Sequence, residues 1–331
     1  MARRRASLPE HGLVIEAHDL EKRFSVLRKA GRVRRAREDV VAVAGVSFTI
    51  SAGEMVGYIG PNGAGKSTTI KMLTGILVPT SGRATVAGID PTRRRVEVAR
   101  RIGVVFGQRT QLWWDLPLRD SFDLLRHVYR VDAEQHRRDR DELTELLDLA
   151  PLLDIPVRQL SLGQRVRGDL AAALLHDPEV LYLDEPTIGL DVVSKARVRE
   201  FLAARNRERG TTVLLTTHDL DDIERLCSRV MIIDHGRLLY DGALSTVADR
   251  LGEDRVLVVD LAQSTPALQV PGARVLSVEG PRQRLAFRRS ETTAAALISA
   301  VSAAADVVDL SIEEPDIEAV IRRVYAGDLT L

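Results

Sequence analysis

Gly60-Pro61-Asn62-Gly63-Ala64-Gly65-Lys66-Ser67-Thr68 stands between a mostly apolar run, Glu54 to Ile59, and a segment of helical character from Ser67 to Leu77. Strand, glycine-rich loop and helix in that order form the context in which the pattern G-x-x-x-x-G-K-[ST] acquires meaning. The glycines let the backbone curl so that successive N–H groups face phosphate oxygens, and the helix N-terminus adds positive potential. Lys66 supplies a mobile point charge for β and γ phosphates, and Ser67 is expected to ligate Mg²⁺. A glycine-rich turn with a chance lysine is the competing reading, and the flanking strand and helix argue against it.

A second apolar strand is expected at Val180 to Leu183, and it delivers Asp184 and Glu185 at its C-terminal end. That end is where ligands sit in open α/β sheets. The two carboxylates have different expected roles: Asp184 holds the metal shell, and Glu185 polarises an attacking water as general base. Phosphoryl transfer needs positioning and charge neutralisation more than covalent help. The alternative, a helix cap or turn pair, loses weight once the phosphate loop is present.

Working outward, Leu13 to Ala17 and Val40 to Ile50 read as strands that flank a basic stretch, Arg28 to Arg37, within an insertion of about residues 25–39. That stretch reads as a loop or short helix inserted in a hairpin. It is either solvated or laid against anionic lipid. Apolar positions recur at helical spacing over 119–155, in Phe122, Leu125, Val128 and Tyr129 and then Leu143, Leu146 and Leu147, which predicts a helical subdomain at about 115–165. Strands at Val180 to Leu183 and Val213 to Thr216, with a charged helix at Ser194 to Arg209 between them, imply βαβ units around a buried parallel sheet. A hairpin at Asp234-His235-Gly236 closes this first domain, residues 1–245.

From Arg255 the texture changes. Strands at 255–261, 273–279 and 283–289, an Ala-rich helix at 291–304, a strand at 307–312 and a final helix after Pro315 make a small C-terminal α/β domain over 252–331. The fold class is therefore α/β: a phosphate-loop core with a helical subdomain, plus a small accessory domain. No catalytic cluster is visible in the accessory domain, whose expected role is regulation or support of dimerisation.

The 331 residues suit one large and one smaller domain. Hydrophobic residues at 45% and charged residues at 28% are the balance of a globular protein. Lys plus Arg and Asp plus Glu each total 47, so no global field steers the chain to nucleic acid. No run reaches the ~18 apolar residues of a spanning helix, and no apolar segment follows the N-terminal arginines. The single Cys227 has no pairing partner and no metal-ligand set around it, which points to a reducing compartment.

The motifs together resemble the ATP-binding cassette (ABC) family over about residues 13–245, in the family's own order. Leu160-Ser161-Leu162-Gly163-Gln164 is similar to the signature LSGGQ, with Leu162 in place of the first glycine of the pair. The resemblance implies that Ser161 and Gly163, with Gln164 beside them, contact the γ-phosphate bound by the opposite subunit. The working unit is then a head-to-tail dimer of this chain, or of this chain with a homologous cassette. Leu162 changes how closely the backbone approaches nucleotide. Thr216-Thr217-His218-Asp219 resembles the segment of the switch histidine, which makes His218 catalytic. Gly189-Leu190-Asp191 resembles the loop that meets the other subunit's site, and Asp191 is included in the nucleotide-contacting set. By the same resemblance Gln108 senses metal and water and links the nucleotide to a transmembrane subunit, with Gln111 as the alternative. Phe24 stacks on adenine or else belongs to the core.

Trp113-Trp114 either dock a membrane subunit's cytoplasmic helix or are buried in the helical insertion. The fuller resemblance is to ATPase subunits of ABC-2 type exporters of the drug-resistance branch. It implies ATP and Mg²⁺ as cofactors, separate transmembrane permease subunits as partners, and a place on the cytoplasmic face of the membrane. The rival class is a soluble ABC-type ATPase acting on a macromolecular complex. A single cassette argues against the ribosome-acting kind, and the lack of a long coiled-coil insertion argues against the DNA-acting kind.

Overall fold

The computed structural model describes residues 12–30, 34–107, 109–217, 219–251, 254–288 and 291–313. The chain divides into two compact units between Asp241 and Gly242.

In the first unit, β1 (Leu13–Ala30) and β2 (Arg34–Ser51) are followed by β3 (Met55–Ile59), α1 (Lys66–Leu73), β4 (Ser81–Val86), α2 (Arg95–Ala99) and β5 (Ile102–Phe106). The helical subdomain follows, with α3 (Leu118–Tyr129), α4 (Ala133–Leu146) and α5 (Leu162–Leu174). The chain then returns through β6 (Val180–Asp184), α6 (Val192–Arg209), β7 (Thr212–Thr216), α7 (Leu220–Leu226), β8 (Arg229–Asp234) and β9 (Arg237–Ala243).

Among the described residues, six strands form one sheet in the order β5-β6-β7-β3-β8-β9, and the pairs from β5 through β8 are parallel. Strands β3 and β7 are buried along their whole length. That is why they read as unbroken apolar runs rather than alternating ones, since helices cover both faces of such a sheet. The register aligns the strand ends: Phe106 is level with Asp184, and Asp184 with Thr216. The loops that carry chemistry therefore emerge along a single edge.

A second, antiparallel sheet in the order β2-β1-β4 packs its apolar face, with Ile15, Leu20, Val46 and Ile50, into the same core as Tyr58 and Ile70. Strand β4 does not stand out in the sequence because its first three residues are exposed. The basic stretch departs from expectation. Its described residues are strand rather than loop or helix, because the β1–β2 ladder continues to Arg28↔Ala36, Lys29↔Arg35 and Ala30↔Arg34. Backbone pairing therefore extends the hairpin into the basic stretch.

Helix α1 is shorter than the periodicity suggests. It ends at Leu73, and Gly75 at φ 73° turns the chain away in the left-handed region. Helix α6 stops in the same manner, with Gly210 at φ 62°. Helix α5 presses closely on β5: a Cβ added to Gly103 would collide with the main-chain carbonyl of Ala173, which cannot swing aside.

The second unit comprises α8 (Leu244–Leu251), β10 (Asp254–Leu261), β11 (Ala273–Glu279), β12 (Arg282–Arg288), α9 (Ala294–Ala304) and β13 (Val307–Glu313). Among its described residues four strands form an antiparallel sheet in the order β11-β12-β10-β13, and α9 adds Leu297 and Val301 to a core built on Leu257, Val259, Leu285 and Phe287. The fully buried Gln283 pins the 265–268 segment: its amide nitrogen donates to the Thr265 and Pro266 carbonyls, and its oxygen accepts from Leu268 N–H. Helix α9 starts at Ala294, capped by Thr293, three residues later than the Ala-rich composition suggests. The expected helix after Pro315 lies outside the described residues.

Gly103→Ala is expected to destabilise the first unit by about 1–3 kcal/mol, the usual cost of overpacking where the opposing atom is backbone. Thermal unfolding followed by circular dichroism checks this, and Tm should fall by several degrees.

Candidate active site

The loop from Gly60 to Gly65 leaves the end of β3 and enters α1 without a side-chain cap. The first N–H groups of α1 are thus left for a ligand to satisfy. Its conformation depends on glycine at two positions. Gly63 is at φ 83° with open space around it, so its backbone faces outward unobstructed. Gly65, at φ 110°, lies so near β2 that an added Cβ would sit 2.6 Å from the Ala42 carbonyl oxygen. The turn between β8 and β9 closes the other side, with Gly236 N–H donating to the Ala64 carbonyl at 2.9 Å.

Lys66 is almost fully buried, and its ammonium donates to the carbonyls of Gly60 and Pro61. Burial pulls its pKa below the ordinary lysine value, while the nearby Glu185 and Asp184 carboxylates work to keep it charged. Ser67 Oγ donates to Asp184 Oδ2 at 2.9 Å, and Thr216 Oγ1 donates to Asp184 Oδ1 at 2.6 Å. One carboxylate thus joins the first turn of α1 to the ends of β6 and β7.

Glu185 follows at φ 56°, a left-handed conformation that costs a non-glycine residue on the order of 1–3 kcal/mol and persists where surrounding structure enforces it. Its N–H donates to the Thr216 carbonyl at 2.9 Å. Gly107 N–H donates to the Asp184 carbonyl, and a Cβ on Gly107 would meet the Glu185 carbonyl at 2.5 Å. The segment after β5 therefore lies directly against the carboxylate pair.

Gln108 and His218 lie outside the described residues. Gln111, the alternative to Gln108, is committed elsewhere: its carboxamide nitrogen donates to the Asp169 carbonyl at 3.0 Å. The Asp169 carboxylate accepts from Thr110 Oγ1 at 2.8 Å and from Gln111 N–H at 3.0 Å. Burial pushes the Asp169 carboxyl up to about 6, against the lowering effect of those two bonds. This knot fastens the segment after β5 to α5. A carboxylate directly ahead of the apolar run Leu170 to Leu175 was a visible signal of it.

Ser161 caps α5 in a capping box: its hydroxyl accepts from Gln164 N–H, and the Gln164 side-chain oxygen accepts from Ser161 N–H at 2.9 Å. Gln164 is in that way occupied within its own chain. The Leu162 side chain lies toward Gly189, where an added Cβ would come within 2.7 Å of Leu162 Cδ2. The leucine that departs from the glycine pair is accommodated by a glycine in the 185–191 loop. Asp191 caps α6, accepting from Ser194 N–H and Oγ at 2.9 and 2.7 Å, and these bonds hold its carboxyl below the usual value.

Phe24 is half-buried, outside the core cluster, with the Lys22 ammonium 5.3 Å from its ring centroid. Its cross-strand partner is Val40, and Ala42, two residues or ~7 Å further along β2, touches the phosphate loop. Trp113 and Trp114 are not buried; they are 39% and 50% exposed, and Arg165 of α5 lies 5.4 Å from the Trp114 ring. Cys227 is a core thiol, which burial pushes up to about 12. Among the described residues no helix is long and apolar enough to cross a membrane, and no group of three or more His, Cys, Asp or Glu could hold a metal.

A family profile described as ABC transporter matches residues 43–188. The chain is 34% identical to the daunorubicin resistance ATP-binding protein DrrA3 of Streptomyces coeruleorubidus over 88% of its own length and 93% of the relative. It is 40% identical to the Nod factor export ATP-binding protein I of Paraburkholderia xenovorans, covering 67% of this chain and 73% of that one. Among solved structures, a dimeric bacterial ABC transporter cassette superposes with a TM-score of 0.61 at 27% identity, covering 70% of this chain and 98% of that one. The cbiO1 subunit from Clostridium perfringens, part of the transporter complex cbiONQ, superposes with a TM-score of 0.59 at 27% identity, covering 71% and 90%. Likeness along almost the full length of a curated relative, centred on a phosphate loop whose serine donates to the carboxylate that ends β6, places the chain in one family: it belongs to the ABC transporters as an ATP-binding protein that hydrolyses ATP.

Proposed function

We propose that the chain is the ATPase subunit of an exporter whose transmembrane part is a separate polypeptide, and that two copies close head to tail around two ATP molecules. The observation that carries the ATP chemistry is the bridge from Ser67 through Asp184 to Thr216, with Lys66 and Glu185 at its sides. Lys66 exchanges the carbonyls of Gly60 and Pro61 for β and γ phosphate oxygens. Gly60, Pro61, Asn62, Gly63, Ala64, Gly65 and Thr68 complete the phosphate cradle, and Phe24 supports the adenine.

The Ser67 hydroxyl and Asp184 carboxylate are hard oxygen ligands of the kind Mg²⁺ takes, and a site with one carboxylate and the nucleotide's own phosphates suits an ion that keeps several waters. Bound there, Mg²⁺ would neutralise charge on the β and γ phosphates. Gln108 is our choice for the residue beside it, since the Gln111 carboxamide is bonded to α5. Glu185 takes the proton of the attacking water, and His218 holds the γ-phosphate end of the site. Ser161, Gly163, Gln164 and Asp191 act on the nucleotide of the opposite copy. Of these, Ser161 and Gln164 act chiefly by holding the N-terminus of α5 in shape.

The export reading draws on the daunorubicin resistance and Nod factor export relatives. Trp113 and Trp114, half exposed beside the segment after β5, suit an amphipathic helix of the permease, which would hold the chain at the cytoplasmic face of the membrane. ATP favours the closed dimer because it binds both copies only in that state, and the permease follows the shift in population.

Glu185→Gln should lower steady-state phosphate release by ~10²-fold or more and accumulate an ATP-bound dimer in size-exclusion chromatography. Unchanged turnover would remove Glu185 from the role of base. Affinity purification of the tagged chain from detergent-solubilised membranes should bring down a stoichiometric polytopic protein. Replacing Trp113 and Trp114 together by Ala should weaken that association by roughly tenfold or more, the scale of a lost aromatic anchor. Turnover by the isolated subunit should not change; undiminished co-purification would exclude this surface.

A further inference from the structure

Asp222 lies in the first two turns of α7 and is completely buried. Its Oδ2 accepts from the hydroxyls of Thr187 and Thr217, and its Oδ1 accepts from Nε of Arg199 on α6. A carboxylate withdrawn from water is costly unless its partners are complete, and packing does not call for one here. The next residue, Ile223, already fastens α7 to the sheet: a Cβ on Gly57 of β3 would lie 2.7 Å from Ile223 Cδ1. What the carboxylate adds is a side-chain joint between three segments, the 185–191 loop, the end of β7, and α6, beside the main-chain bond from Glu185 N–H to the Thr216 carbonyl.

We propose that Asp222 is a positioning residue that relays movement of the 185–191 loop, the loop read as meeting the second subunit, to His218. The inference rests on the roles given above to His218 and to Gly189-Leu190-Asp191. The residues on either side of position 218 are both held by this joint. Thr217 donates to Asp222 and accepts from Asp219 N–H at 3.0 Å. The Asp219 carboxylate takes Lys195 Nζ, and Arg199 lies 3.5 Å away. Burial opposes ionisation of Asp219, but the bond to Lys195 and the charges of Lys195 and Arg199 outweigh it and bring its pKa below the usual value. Lys195 and Arg199 are four residues apart on α6 and share one face. That helix begins immediately after Asp191, which caps it.

Two routes therefore run from the subunit-facing loop to the switch segment. One passes through the hydroxyl of Thr187, the Asp222 carboxylate and the hydroxyl of Thr217. The other passes through the N-terminus of α6 and its two cations to Asp219. Displacement of the loop by a second copy is thereby transmitted to Thr217 and Asp219, the neighbours of position 218.

The test uses the full chain, with ATP hydrolysis measured against ATP concentration and Tm measured alongside. Thr187→Val keeps the shape and removes the hydroxyl, whereas Thr187→Ser keeps the hydroxyl. Thr187→Val should lower kcat by roughly tenfold, the scale of one lost buried hydrogen bond to a charged group. The ATP concentration at half-saturation should stay within about twofold, since the loss falls on the step after binding. The Hill coefficient should fall toward one, and Thr187→Ser should restore both values. Thr217→Val should show the same loss, and the double variant should lose no more than the weaker single, because the two hydroxyls act in series. Unchanged kcat and Hill coefficient in Thr187→Val would overturn the relay, as would Val and Ser variants impaired alike in proportion to their loss of Tm. Glu185→Gln and His218→Ala, run in parallel, separate the two readings. If they abolish turnover while Thr187→Val is normal, the relay alone fails; if they leave turnover intact, the underlying site assignment fails and the relay with it.

Discussion

The carboxylate of Asp184 is shared between a serine on the first turn of α1 and a threonine at the end of β7, and this sharing is possible only because parallel strands end level with one another. Parallel register is set by βαβ connections of sufficient length and by burial of both sheet faces, so it is a property of the whole first unit. From that alignment follow the placement of the phosphate loop after β3, the carboxylates at the end of β6, and the segments that follow β7 and β5. Each is a loop whose freedom is limited by a neighbour's polar group. Gly107 bonds to the Asp184 carbonyl, and Glu185 bonds to the Thr216 carbonyl. Moving one strand end by the length of a residue would uncouple all four.

The helical subdomain is tied to this edge by contacts of particular chemistry. Asp169 holds Thr110 and Gln111, and Gly103 lets α5 approach β5 without an intervening side chain. Helix α5 and the segment after β5 are thereby joined. The capping box of Ser161 and Gln164 keeps the far end of that helix from fraying.

The motifs that bind phosphate were legible in the sequence because their chemistry demands residue types at fixed spacing: glycines for backbone curvature, a lysine and a hydroxyl, and an apolar strand ending in carboxylates. The parallel sheet was legible from strands too apolar to have a wet face. Contacts between segments distant in sequence were not legible. Thr216 and Asp222 belong to short runs of threonine and aspartate whose members look equivalent until the fold selects one. Strand β4 escaped notice because half of it faces solvent, and the basic stretch misled because charge density suggested a loop while the backbone continued its ladder. Gln111 could be set apart from Gln108 only once its amide was found bonded to a helix 58 residues away.

The buried thiol of Cys227 has a practical corollary. It is the one cysteine of the chain, and in a core setting where ionisation is suppressed it offers little nucleophile to an alkylating reagent at neutral pH. The native chain is thus already close to a blank background for thiol-directed labelling. A single cysteine introduced on the exposed face of the 185–191 loop could carry a fluorophore or spin label without first engineering the natural one away, so the approach of two copies could be followed by distance in a protein otherwise unaltered.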